Sequence, residues 1–251
     1  MEGSVSTTIN HHLATITFGH PAHNSMPGHL LAELAYQIKK AGETQDVHLI
    51  LLQSAGDRTF CAGASFDELM TITSAEEGKK FFLGFANVIN AIRKCPKIFI
   101  GRIQGKAIGG GVGIAAAVDY CIASQYGSIK LSELALGIGP FVVGPAIERK
   151  IGVSAFSQLS INATEWQTAH WAKEKGLFHE VFDTMEQTDA YIQHFIQNLL
   201  ATSPQALQSL KKVLWQGTHH WDELLDERAG ISGRLVITDA AQQAIRKARL
   251  A

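Results

Sequence analysis

Cysteine is scarce in this chain: Cys61, Cys95 and Cys121 are the only 3 in 251 residues. They have no metal-ligand spacing, and three is too few for a disulfide scaffold. An odd count, behind a start (MEGSVSTTINHH) that lacks the basic-then-apolar layout of a secretory signal, fits a reducing cytoplasm. Charge of one sign is also missing. With 22 Lys and Arg against 23 Asp and Glu the formal net charge is −1, which supplies neither a nucleic-acid footprint nor a polybasic membrane surface. No apolar run approaches the roughly 20 residues of a membrane span. Internal repeats and low-complexity linkers are absent. So are a G-x-G-x-x-G pattern behind a strand and the G-K-[ST] ending of a phosphate loop, which argues against nucleotide-binding folds of those kinds. What remains is ordinary globular composition, 46% hydrophobic and 18% charged.

The pattern along the chain is alternation of strands and helices. LATITF (13–18) alternates in strand fashion after a His11–His12 turn. Pro27 opens a helix with Leu30, Leu31, Leu34 and Ile38 on one face. The apolar run 48–54 reads as a buried strand, 75–93 as a helix stopped by Pro96, and 97–103 as the next strand. Gly109-Gly110-Gly111 opens an alanine-rich helix, and DYCIAS (119–124) is strand again. From about Val142 onward the pattern is mostly helical, with amphipathic stretches at 165–175, 185–201, 204–216 and 221–229. The fold class is α/β.

Two segments carry small residues between apolar elements: FCAGASFDEL (60–69) and GKAIGGGVGIAAAVD (105–119). Small residues let backbone approach a ligand closely. In the second segment the glycines precede a helix, so free N–H groups and the positive end of the helix dipole face outward, as an oxyanion requires.

Together these two segments, about 50 residues apart, resemble the two signature segments of the crotonase (enoyl-CoA hydratase/isomerase) superfamily. HPAHNSM (20–26), KLSELALGIGP (130–140), AHWAKEKGLFHEVF (169–182) and SPQAL followed by Lys211 resemble further family segments, so the likeness covers most of the chain. The resemblance implies a β-β-α spiral core over 1–195 and a helical C-terminal trimerisation region over 196–251, with helices packing onto neighbouring subunits in homotrimers or dimers of trimers. It implies an acyl-CoA thioester as substrate, coenzyme A entering as part of that substrate, with no separate cofactor and no metal. It implies an oxyanion hole of the Ala64 and Gly110 N–H groups. Ala22, Ala62, Gly63, Gly109, Gly113 and Phe141 become the expected substrate-binding positions, and Lys39 or Arg58 candidate cations for the phosphates.

The chain departs from the family in one informative place. Family hydratases usually carry two glutamates, one shortly after the glycine triplet and one about 20 residues later. Here the first position is Gly113 and the second is Glu133. Hydration uses both carboxylates, and losing an acid–base partner costs about 100- to 10,000-fold. Moving a double bond from the 3,4 to the 2,3 position needs one base that takes a proton from the α carbon and returns it to the γ carbon. The expectation is therefore a 3,2-enoyl-CoA isomerase with Glu133 as acid–base. The alternatives are a hydratase of the methylglutaconyl-CoA kind, its branched substrate using space opened by Gly113, and a non-catalytic acyl-CoA-binding protein. Asp119 is expected as a structural partner, and Asp67 and Glu68 as a solvated helix start. His219 and His220 point apart on a helix and lack a third ligand.

Overall fold

The structure is a computed structural model that describes residues 2–249. The chain begins with β1 (Ser4–Asn10), β2 (Leu13–Gly19), α1 (Gly28–Glu43), β3 (Leu49–Ser54), β4 (Thr59–Cys61) and α2 (Phe66–Leu69). It continues through α3 (Ala75–Lys94), β5 (Ile98–Ile103), β6 (Lys106–Ile108), α4 (Gly110–Ala117), β7 (Tyr120–Ser124) and β8 (Ile129–Lys130). A 3₁₀ turn (Leu134–Leu136) leads to α5 (Gly144–Ile161), α6 (Ala169–Glu174), β9 (Glu180–Phe182) and α7 (Met185–Leu200). Three further helices follow: α8 (Pro204–Leu214), α9 (Trp221–Val236) and α10 (Asp239–Arg249).

Six strands form the main sheet in the order β1-β2-β3-β5-β7-β9. β1 and β2 are an antiparallel hairpin, and every later pairing is parallel. The hairpin turns through His11 and His12, both at positive φ (44° and 65°), the handedness that matches strand twist. β3, β5 and β7 are mainly apolar because both sheet faces are covered. Ile50, Leu52 and Phe99 pack in the larger core with α1, α3 and α4. Leu49, Leu51, Ile98, Ile100 and Ile122 face the other way, against Ile192 and Ile196 of α7 and Leu207 of α8.

A second, small sheet of three parallel strands, β4-β6-β8, positions the site. Each strand is followed directly by a turn: Ala62–Ala64 after β4, Gly109–Gly110 after β6, and Ser132–Glu133 after β8. The pairing of β4, β6 and β8 therefore brings those three turns side by side.

The C-terminal helices fold back on their own chain. α9 crosses α3 where Gly78 meets Gly233: a Cβ on Gly78 would stand 2.8 Å from the Gly233 Cα. α10 lies against the 3₁₀ turn and α2, and Arg249 pairs with Asp67 at 2.6 Å. α9 and α10 thus pack onto α3, α2 and the 3₁₀ turn of the same subunit. The 195/196 division falls inside α7, whose inner face joins the second core. α9 extends to Val236, past the expected 229, and α10 adds a helix beyond it.

Asp119 links the sheet to α8. Its carboxylate accepts from Lys211 Nζ at 2.7 and 2.9 Å, from Trp215 Nε1 at 2.7 Å and from the Phe99 N–H at 2.8 Å. The two charged side chains are 3% and 2% exposed, so neither can be left alone. Burial pulls the Lys211 amine below its ordinary range while Asp119 opposes that shift. Replacing Asp119 by Ala should cost about 3–5 kcal/mol in urea unfolding, because it strands a buried ammonium. Joint replacement of Asp119 by Leu and Lys211 by Met should recover most of that loss.

Candidate active site

A cavity of about 280 Å³ opens where the three turns meet. Ala62, Gly63 and Ala64 line it from the first turn, Ile108, Gly109 and Gly110 from the second, and Ser132 and Glu133 from the third. Apolar walls come from Phe66, Leu69, Phe82, Phe85, Leu136 and the Pro140–Val143 stretch. At this volume it lies at the small end of ligand pockets, sized for the reacting end of a molecule rather than for a whole coenzyme.

The two backbone donors are placed by glycine. Gly63 has φ +83°, and a Cβ there would stand 2.8 Å from the Ile108 carbonyl oxygen and 3.4 Å from the Gly110 nitrogen. The turns after β4 and β6 thus touch backbone to backbone. Gly109 caps α4 with φ 52° and ψ −117°, a conformation closed to other residues. Gly110 is then the first residue of α4, where the N–H has no intrahelical acceptor. Neither the Ala64 nor the Gly110 N–H has an acceptor among the hydrogen bonds of the described residues. Two free donors on adjacent turns, one of them at a helix N-terminus, are the arrangement that binding a developing oxyanion requires.

Glu133 is the carboxylate of the cavity. It precedes the 3₁₀ turn, and its carbonyl accepts from the Leu136 and Ile138 N–H groups, which fixes the backbone under the side chain. The carboxylate lies against Gly109: a Cβ on that residue would sit 2.9 Å from Glu133 Oε1. The residue as a whole is half-buried, yet Oε2 is shut from solvent and has no hydrogen-bond partner among the described residues. Burial without a partner disfavours the charged form, so the carboxyl is pushed up from 4.5 to about 7, in the range suited to a general base near neutral pH. Of the apolar residues after Glu133, Leu136 and Phe141 line the cavity, whereas Leu134 is 49% exposed.

Not every expected residue gathers here. Ala62, Gly63, Ala64, Gly109, Gly110, Glu133 and Phe141 line the cavity; Ala22 and Gly113 do not. Gly113 lies under Val143, whose Cγ1 would be 2.5 Å from a Cβ on that glycine. The space it was expected to open for a branched substrate is filled by Val143. Ala22 is exposed in the turn after β2, its carbonyl already accepting from the Ser25 N–H. Of the candidate cations, Arg58 lines a separate surface depression beside His20 and His23, and Lys39 stands on α1 near Glu43. Lys130, which does line the cavity, was not singled out from the sequence; no motif distinguishes it from other surface lysines. Ser232 and Ala248, from α9 and α10, were also missed, because nothing local announces that a helix about 100 residues away in sequence will close a pocket.

Glu68, expected as part of a solvated helix start, instead accepts from the Gly28 N–H at 2.7 Å and so caps α1. Asp67 is solvent-facing as expected, paired with Arg249. All three cysteines are buried, and burial pushes the Cys61 and Cys121 thiols up to about 12, which makes them unreactive. Among the described residues no three His, Cys, Asp or Glu side chains gather as a metal ion would require. No described helix is long and apolar enough to cross a membrane.

Paired turns that present free N–H groups beside the Glu133 carboxylate are an arrangement that can stabilise an oxyanion. The family model described as Enoyl-CoA hydratase/isomerase matches residues 8–243, and the chain belongs to that family, within the crotonase superfamily. The chain is 31% identical over 185 residues to the enoyl-CoA hydratase ACTT6 of Alternaria alternata, covering 73% of this chain and 59% of that protein. It is 26% identical to the peroxisomal Delta(3,5)-Delta(2,4)-dienoyl-CoA isomerase of Arabidopsis thaliana, covering 90% and 85%. The crystal structure of enoyl-CoA hydratase from Bacillus halodurans superposes with a TM-score of 0.88 over 97% of this chain and 99% of that one, at 20% identity. That likeness establishes the β-β-α spiral fold. The chain is an enzyme of the hydratase/isomerase group.

The raised Glu133 carboxyl has a consequence for stability. The folded chain holds this proton more tightly than the unfolded chain, so Glu133 opposes folding increasingly as the pH rises from 4.5 to about 7. The penalty should be fully present above that window, at about 3 kcal/mol. Glu133→Gln should therefore raise the melting temperature at pH 8 and leave it nearly unchanged at pH 4. An equal shift at both values would contradict the placement of the carboxylate.

Proposed function

We propose that the protein is an enoyl-CoA isomerase that moves a 3,4 double bond to the 2,3 position of an acyl-CoA thioester. The observation that carries this reading is that Glu133 is the sole carboxylate lining the cavity among the described residues. The Glu133 carboxylate removes a proton from C2, and the electron pair moves into the thioester carbonyl. The Ala64 and Gly110 N–H groups hold the resulting oxyanion of the dienolate. Protonated Glu133 then returns the proton to C4, and the double bond closes between C2 and C3. One donor of such a pair is worth on the order of 3 kcal/mol of transition-state stabilisation. A buried base with no other hydrogen-bond partner spends nothing on breaking an existing bond before it takes the proton.

Hydration of a 2-enoyl thioester is the second reading, and the name of the Alternaria relative favours it. It asks one carboxylate to do what two usually do. The methylglutaconyl form of this reading loses its support with the volume at Gly113 filled. The homotrimer expected from the resemblance gains support from an apolar stripe on α8, where Leu210, Val213 and Leu214 are 50%, 57% and 41% exposed. The three buried free thiols accord with a cytoplasmic setting.

With a trans-3-enoyl-CoA, the absorbance of the conjugated 2-enoyl thioester should rise, and Glu133→Gln should lower kcat by about 100- to 10,000-fold. The kcat/KM profile should fall on the acid side with an apparent pKa near that of Glu133, about 7. A trans-2-enoyl-CoA whose conjugated absorbance instead disappears rapidly, with no turnover of the 3-enoyl thioester, would establish the hydratase.

A further inference from the structure

Among the described residues Lys130 is the only cationic residue that lines the active-site cavity. It lies on β8 opposite Ile108 of β6, and strand alternation sorts the side chains of the small sheet. Ala107 and Ile129 are fully buried on its inner face. Lys106, Ile108 and Lys130 therefore share the outer face, and Ile108 and Lys130 border the cavity. Trp166 is held beside this face through its neighbour Gln167. Gln167 and Ile129 each donate a backbone N–H to the other's carbonyl at 2.9 Å.

Lys106 Nζ stands 5.0 Å from the centroid of the Trp166 ring, and Lys130 Nζ stands 4.7 Å from it. Two ammonium groups are thus gathered on one indole that is itself 37% exposed. An aromatic face attracts a cation, but the ring has no net charge and leaves the repulsion between two ammoniums standing. Elsewhere neighbouring cations are answered by an acid: Arg93 and Lys94 share Asp222. No ion pair among the described residues engages Lys106 or Lys130. Glu133 is not their partner, since no cation offsets the burial of its carboxyl. The pair is a positive site at the cavity rim with no anion of its own.

The backbone decides which part of a ligand reaches it. The Lys130 carbonyl accepts from the Gly109 N–H at 2.8 Å, and Gly109 precedes the Gly110 donor. The Lys130 side chain therefore starts one hydrogen bond away from the turn that would receive a thioester oxygen. The phosphates of coenzyme A are separated from that oxygen by the whole pantetheine arm, whereas the far end of a short acyl group is not.

We propose that Lys130 and Lys106, gathered by Trp166, form a carboxylate-binding site, and that the enzyme acts on half-thioesters of dicarboxylic acids, whose acyl group ends in a carboxylate. This rests on the acyl-CoA reading above and adds the chemical class of the acyl group. Lys130 meets the carboxylate from the cavity rim, and the more exposed Lys106 adds to the field. The site is partly open to water, so its attraction is modest and weakened by salt. With Val143 filling the space at Gly113, straight chains are the fitting ligands.

The test is titration calorimetry with saturated straight-chain thioesters, which can neither isomerise nor hydrate. Acyl groups of four to eight carbons that end in a methyl group would be compared with those that end in a carboxylate. At one chain length the wild-type chain should bind the carboxylate-ended thioester about three- to tenfold more tightly, and the preference should shrink as salt rises. Lys130→Gln should bring the two affinities level, Lys130→Arg should keep most of the preference, and Lys106→Gln should lower it partway. A packing defect weakens both thioesters alike and leaves their ratio untouched, so the ratio isolates the charge. No preference at any length, or the same preference in wild type and Lys130→Gln, would overturn the site and leave the enzyme reading standing. Equal weakening of both thioesters in Lys130→Gln that disappears with pantetheine thioesters, which lack the phosphates, would assign the lysine to coenzyme A and overturn the carboxylate site. Failure of every thioester to bind would overturn the site and the acyl-CoA reading together.

Discussion

Two backbone turns in this protein meet with no room for a side chain between them. Gly63 and the Ile108–Gly110 segment touch directly, and a β-carbon on Gly63 would collide with the Ile108 carbonyl. The remainder of the site depends on this contact. It sets the Ala64 and Gly110 donors beside one another and opens α4 toward the cavity. It also makes Gly109 the surface on which the Glu133 carboxylate rests. The contact is made by three short strands, too short to be stable alone, whose pairing is held because the large sheet and its helices carry the energy of folding.

The chemistry follows from how unevenly polar groups are treated. The Asp119 carboxylate is as buried as a charged group can be, and it has four hydrogen bonds and a counter-charge. Among the described residues Glu133 has no partner for Oε2 and no paired cation, and its carboxyl rises to about 7. One carboxylate is thus spent on holding α8 to the sheet. The other is left unpaired at the expense of stability, an environment of the kind found at functional sites.

Much of the site was legible in the sequence. The FCAGA and IGGGVG segments announced themselves through small residues between apolar elements, and the family resemblance supplied their register. Glu133 could be named because the family resemblance places a glutamate about 20 residues after the glycine triplet. Gly113 was misread: a missing side chain looks like space in sequence, but Val143 from the next helix entry occupies it. Glu68 was misread for a similar reason, since an acid at a helix start looks solvated until another helix brings an unmet N–H to it.

By itself the sequence determined the α/β alternation, the two glycine turns, and a glutamate at position 133 with glycine at position 113. These are local properties: periodicity, chain reversal and residue chemistry act over a few neighbours. Only the tertiary structure decided which backbone N–H groups stay free, how far burial lifts the Glu133 carboxyl, and that α9 and α10 close the cavity of their own subunit. Those depend on contacts between residues far apart in the chain, such as Gly78 with Gly233 and Glu133 with Gly109. Solvent exclusion is a collective result of packing and has no signature in any one segment.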